Sequence, residues 1–326
     1  MNVAQLEQKW QRLSLENVSR GYKSLRVSPE CLPDLYIGIS KELRRCLILA
    51  VPRLHKVNVV NVIRENLTVE HFPDDNFIVL QLTDNSFNDL FNDLILSLHH
   101  RIRGIAAVEA YTGEFISALY RWSEFFENRR SDRLSGEQIK GVFGELLFLQ
   151  SLLSASPAHE VNAVLDMWKG PFHTPHDFVL GQKDVEVKTK EISKGEIRIS
   201  SEFQLQPDPG RDLELLVISV RTNPADGVSL KELSDAIRGM IREKQGDFSI
   251  LLKALSAAGL SYHALEEYDT YRFTPVQETV YDCMHRDFPK LTASEIPEAV
   301  QNVRYDIQLS LLSNFILSEK EYSYGS

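Results

Sequence analysis

The sequence predicts an α/β protein, a sandwich of strands and helices whose strand order is left open, preceded by a β-rich region. Three observations carry this. Up to about residue 85 apolar residues alternate or run in short blocks between turn residues. From Ser86 they recur at helical spacing, and beyond about residue 170 strand-like and helix-like blocks take turns. At 326 residues the chain exceeds the usual size of one hydrophobic core. The expected division is a β-rich domain over 1–104, a core over 105–246 and an α+β extension over 247–326.

In the first region LYIGIS (35–40), RRCLILAV (44–51), the long run 57–72 and FIVLQLTD (77–84) read as strands, with a turn at Pro73-Asp74-Asp75-Asn76. Phe87, Leu90, Phe91, Leu94, Leu98 and Ile102 then predict a helix that stops near Gly104, and a second helix follows over about 106–129. Ser135 with Gln138 three residues on is a capping box, in which each side chain satisfies a free backbone N–H of the first turn. Ile139, Val142, Phe143, Leu146 and Leu147 form that helix's core stripe. Glu145 lies about 130° from the stripe's centre at 100° per residue. Gly141 and Gly144 each cost a helix roughly 1 kcal/mol relative to alanine, so something must need to approach the backbone there. A shorter helix carries Val161, Val164, Leu165 and Trp168 before the break Gly170-Pro171. Next come a hairpin, a third strand near EIRIS (196–200), a helical turn SSEFQL (200–205) and the strand LELLVISV (213–220). A helix capped by Ser229 with Glu232, another over about 247–258, and strands in YRFTPVQETVYDC and VRYDIQLSLL complete the chain.

Composition narrows the function. Hydrophobic residues at 43% and charged residues at 25% are those of an ordinary folded protein, and the longest apolar runs are far too short to cross a bilayer. The N-terminal stretch is amphipathic and polar, unlike a secretory signal, so the expected location is the cytoplasm, without a membrane partner. Cys31, Cys46 and Cys283 form no C-x-x-C pair and fit reduced thiols. The net charge of -10 argues against non-specific phosphate binding by the whole surface, but the excess is uneven: residues 205–326 hold 19 acidic and 12 basic groups. That last third favours a protein partner.

The chemistry concentrates in HDFVLGQKDVEVKTK, residues 176–190. Gly181 with Gln182 supplies a turn, Glu186 and Lys188 share one strand face, and Asp177 folds back beside them. Cross-strand neighbours lie about 5 Å apart, close enough for two carboxylates to share a divalent ion. The alternative is a solvated hairpin with ordinary surface charges. His173 and His176 with His159 offer a weaker zinc alternative, since no thiolate accompanies them.

Asp177, nine residues on Glu186-x-Lys188, and Glu145 on the preceding helix resemble the PD-(D/E)XK nuclease signature. GVFGELLFL, the tryptophan of DMWKGP, HDF, VEVKTK and ISSEFQL, over about 135–222, are similar to a bacterial family of PD-(D/E)XK motif proteins encoded in defence islands beside DNA methyltransferase and ATPase genes. His176 stands where the signature has proline, and no Gln-x-x-x-Tyr follows, which disfavours an end-processing enzyme. The resemblance implies a restriction-endonuclease-like mixed sheet flanked by helices and a Mg²⁺- or Mn²⁺-dependent DNA endonuclease, a subunit of a restriction-like defence system. In it Asp177, Glu186, Lys188 and Glu145 would be catalytic, and Asp177, Glu186, the Val187 carbonyl and Glu145 would hold the ion. Lys190, Ser200, Ser201 and Gln204 are candidate DNA contacts. Implied partners are DNA, an ATPase, a methyltransferase and a second copy of the chain. The competing reading is a catalytically silent DNA-binding or assembly subunit with the same fold.

Overall fold

The structure is a computed structural model that describes residues 1–15, 18, 21–53, 55, 57, 61–127 and 133–322. It divides into two compact units, Met1–Arg130 with Gln245–Ser249, and Ser131–Lys244 with Ile250–Ser326. Among the described residues no single helix is long and apolar enough to cross a membrane.

The first unit opens with α1 (Val3–Ser14), an amphipathic helix closed by an Asn2–Gln5 capping box. Six antiparallel strands follow: β1 (Tyr22–Arg26), β2 (Asp34–Ser40), β3 (Arg45–Ala50), β4 (Val62–Ile63), β5 (Leu67–Phe72) and β6 (Phe77–Leu82). Their order in the sheet is β1-β2-β3-β6-β5-β4. Leu35, Ile37, Leu47, Leu49, Ile78 and Leu80 alternate into the core, as period 2 requires. The run 57–72, read from sequence as one strand, is instead a hairpin of β4 and β5, while 58–60 lie outside the described residues. The break falls at Arg64–Asn66, where polar residues interrupt the apolar pattern. Helices α2 (Asn88–Ile102) and α3 (Val108–Ser123) follow, and α2 is tied to α1 by the Trp10 indole N–H donating to Asn92 Oδ1 at 2.9 Å.

The second unit holds α4 (Gly136–Ala155), α5 (Val161–Asp166), β7 (Phe178–Leu180), β8 (Lys183–Glu191), β9 (Glu196–Ile199), β10 (Asp212–Thr222), β11 (Val228–Ser229), α6 (Leu230–Glu243), most of α7 (Phe248–Ala257), β12 (Arg272–Asp282), β13 (Tyr305–Gln308) and β14 (Ile316–Glu321). Its main sheet runs β11-β12-β10-β8-β7, with β14 also on β12. Only β8 and β10 are parallel among these pairs, so the sheet is mixed. The capping boxes at Ser135 and Ser229 start α4 and α6 where the sequence places them.

The strand expected near 196–200 is present, its partner having been left open by the sequence, and the helical turn expected at 200–205 is corrected. The strand at 196–199 does not extend the main sheet but pairs with β13 in a separate two-stranded one, burying Ile197 and Ile199 against Leu213, Leu215 and Val217. Residues 200–205 form a turn and no helix. Leu205 is drawn into the same apolar cluster, which outweighs the weak helical propensity of so short a segment.

Helix α4 lies directly on β8. A Cβ built at Gly144 would stand 1.8 Å from Thr189 Oγ1, so the helix backbone approaches that strand as only glycine allows. Nothing lies within 4 Å of a Cβ at Gly141. Gly144→Ala is therefore expected to destabilise by about 1–3 kcal/mol through overpacking. Gly141→Ala should stabilise by up to ~1 kcal/mol through helix propensity. Urea unfolding of the two variants measures both, and equal effects would contradict the contact at Thr189.

Candidate active site

The site starts from the β7–β8 hairpin. Gly181 adopts φ +54° in the two-residue turn, and Leu180↔Lys183, Val179↔Asp184 and Phe178↔Val185 set the register. One further step sets Asp177 opposite Glu186, the partner that the sequence alone leaves open. β7 ends there, and the Asp177 side chain takes over from the ladder: its Oδ2 accepts the Val187 N–H at 2.8 Å. The Asp177 carbonyl in turn accepts N–H groups of Lys169 at 2.7 Å and Gly170 at 3.0 Å. The residue is held from both sides.

Glu145 arrives from α4. Its Oε2 accepts the indole N–H of Trp168 at 2.7 Å, and Trp168, itself buried, bridges to Phe178. Gly170 completes this corner. A Cβ there would lie 2.6 Å from Asp177 Oδ1 and 2.9 Å from Glu145 Oε2, which bounds the separation of those two oxygens at 5.5 Å. A cleft of about 300 Å³ lined by Gln138, Gly141, Val142, Glu145, Gly170 and His173 opens beside Glu145.

Glu186 is 1% exposed, and Lys188 Nζ stands 2.8 Å from its Oε1. The contact is an ion pair, and no other donor reaches either of the two buried Glu186 oxygens. Lys188 Nζ also donates to Gln204 Oε1 at 3.0 Å. Burial pushes the Glu186 carboxyl up to about 8, with the neighbouring Asp177 adding to the rise and Lys188 opposing it. Burial, then Asp177, also holds Glu145 well above the usual carboxylate range, against the Trp168 hydrogen bond. Asp177 is raised by burial, against the pull of Lys188 and the Val187 N–H. Burial alone would lower the Lys188 ammonium, but Glu186, Asp177 and Glu145 together hold it above its ordinary value. Three carboxyls thus share one ammonium in a poorly solvated pocket, and buried charge demands a partner.

These residues fit a divalent cation. The orphaned oxygens of Glu186 and the side-chain-free space at Gly170 between Asp177 and Glu145 offer hard oxygen donors in want of a positive charge. The three carboxyls are not drawn as tightly as a ligand shell. Among the described residues, the trio of potential ligands with atoms all within 4.8 Å is His176, Asp184 and Asp208. Two of these three are otherwise engaged, and Asp208 is exposed. Arg211 grips both Asp184 oxygens, at 2.8 and 2.7 Å, and His176 Nε2 lies 3.1 Å from the Gln206 carbonyl. These contacts work as a latch joining the hairpin to the turn that follows β9. The zinc alternative is not assembled: His159 and His173 stand outside this group, His159 beside Glu160 at 3.4 Å and His173 exposed at φ +58°.

Of the candidate DNA contacts, Lys190 continues the Glu186–Lys188 face, half-buried, with burial lowering its pKa and Nζ 3.4 Å from the Glu191 carbonyl. Ser200 is exposed and donates its backbone N–H to Gln204 Oε1 at 2.7 Å, and Ser201 is half-buried in the turn. The Gln204 carboxamide oxygen is thus committed inward. Sequence reasoning missed the Trp168–Glu145 bond, the Arg211 latch and the gap at Gly170. For Trp168 the signal was its place in DMWKGP. For Arg211 there was none, because a surface arginine 27 residues from Asp184 carries no local pattern.

No curated protein and no solved structure matches the chain. Residues 6–310 match a family model described as "Putative PD-(D/E)XK family member, (DUF4420)". That span takes in Glu145, Asp177, Glu186 and Lys188, and the chain belongs to this DUF4420 family.

Proposed function

We propose that the protein is a metal-dependent DNA endonuclease, the phosphodiester-cleaving subunit of a bacterial restriction-like, anti-phage defence system. The observation that carries the reading is the convergence of Glu145, Asp177 and Glu186 on the single ammonium of Lys188, at the end of a hairpin in the register such a signature needs. Asp177, Glu186 and the Val187 carbonyl, with Glu145, would hold Mg²⁺ or Mn²⁺. Bound there, the ion would neutralise phosphate oxygens, acidify a water and offset the charge that develops on hydrolysis.

The chain's own residues divide the remaining work. Lys188, kept protonated by its acidic neighbours, would orient the attacking water and counter charge on the phosphate oxygens. Glu145, with Oε2 tied to Trp168, has its other oxygen to orient a water or take a second ion. Lys190, Ser200 and Ser201 would contact the DNA. The acidic last third, with 19 acidic against 12 basic groups, suits docking to an ATPase or methyltransferase subunit better than to phosphate. The test is supercoiled plasmid incubated with the purified protein in Mg²⁺, in Mn²⁺ and in EDTA. Nicking or linearisation in the first two and none in the third is expected, and cleavage that survives EDTA would reject the metal.

A further inference from the structure

We propose that Gln204 is a positioning residue that aims the Lys188 ammonium, acting from a turn remote in sequence from the hairpin. The inference rests on the role given above to Lys188. Two donors converge on the Gln204 carboxamide oxygen, the Ser200 backbone N–H at 2.7 Å and Lys188 Nζ at 3.0 Å. Both are donors, so only the oxygen end of the amide fits there, and its orientation is fixed by the network. The turn that carries Gln204 is itself anchored. Leu205 beside it is fully buried, and the carbonyl of Gln206 meets buried His176.

This matters because a lysine ammonium rides on a long flexible stem and is otherwise placed by charge alone. Glu186 at 2.8 Å attracts it, but a carboxylate pulling on one side does not fix direction. A neutral acceptor on a second side confines the ammonium to one point without altering the charge of the cluster. An ångström of misplacement in such a group can lower a rate about 100-fold. Gln204 touches no reacting atom and acts only through Lys188.

The experiment compares wild type, Gln204→Met, which keeps the length but removes the acceptor, and Gln204→Glu, which restores one. In ¹⁵N-lysine-labelled protein, with the Lys188 ammonium signal assigned by its loss in Lys188→Met, the signal should be protected in wild type. It should exchange faster in Gln204→Met and recover in Gln204→Glu. Plasmid cleavage by Gln204→Met should fall about 10–100-fold in kcat with KM unchanged. Equal thermal transitions in the three proteins separate this from misfolding. An ammonium signal identical in wild type and Gln204→Met would overturn the proposal. If the signal responds as expected but wild type cleaves no DNA, the positioning stands and the nuclease reading is what fails.

Discussion

Lys188→Met should lower the rate of Mg²⁺- or Mn²⁺-dependent plasmid cleavage by about 10²–10³-fold, the usual loss on removing one fixed group that faces developing charge. The expectation follows from where the ammonium sits, between Glu186 at 2.8 Å and Gln204 at 3.0 Å, with Asp177 and Glu145 also holding it charged. Methionine keeps most of the stem's volume, so the hairpin and its packing should survive. Without the cation Glu186 can take up a proton, which its raised pKa already favours, and the fold avoids a buried unpaired charge. Asp177→Asn is the companion variant. An asparagine oxygen can still accept the Val187 N–H, so the strand end is preserved while the negative charge is lost. Cleavage in either variant within tenfold of wild type would remove that residue from the mechanism. Unchanged cleavage in both would reject the site.

Glu186→Gln should be inactive and yet more stable than wild type at about pH 8 in the absence of divalent ions. The sign follows from linkage. The unfolded chain releases the Glu186 proton near the ordinary glutamate value of 4.5, whereas in the folded protein burial holds it up to about 8. Between those values the folded state binds the extra proton, so stability declines as pH rises through the window. Burial shifts Glu145 and Asp177 in the same direction. Metal-free wild type should therefore lose thermal stability between about pH 5 and pH 8, by an amount on the order of a few kcal/mol. The glutamine variant should lose less. Mn²⁺ added at about pH 8 should restore the wild type, since a ligand that binds only the folded state stabilises it, and should do much less for Glu186→Gln. Thermal unfolding across pH, with and without Mn²⁺, measures all of this. A flat wild-type profile would show that the cluster is solvated after all.

What could be read from the sequence was what is encoded locally. The box Ser135–Gln138 starts α4, the box Ser229–Glu232 starts α6, and Gly181-Gln182 turns the hairpin, because a few adjacent residues satisfy their own backbone groups. Strand period and helix phase placed Glu186 and Lys188 on one face and Glu145 off the core stripe, but it was the resemblance to the PD-(D/E)XK signature that joined them with Asp177 as one candidate site. The pairings that depend on distant chain were not legible. The strand 196–199 alternates as any edge strand does, and nothing in it names β13, more than a hundred residues away, as its partner. The strand β1 and the last strand β14 were passed over, since their polar residues blur the apolar period, and the N-terminal stretch was read only as amphipathic although Leu6, Trp10 and Leu13 recur at the spacing of helix α1. Gln204 entered only as a candidate DNA contact, in a segment read as a helical turn. Its commitment to Lys188 exists only once the turn is folded back.

The parallel pairing of β8 with β10 also has a kinetic consequence. A tight hairpin such as β7–β8 closes within microseconds, but a parallel neighbour reached across an intervening excursion must wait for a much larger loop to close. During that delay the long edge of β8 is open, and an open edge recruits strands from other molecules. Slow synthesis at low temperature and dilute refolding should therefore raise the soluble yield.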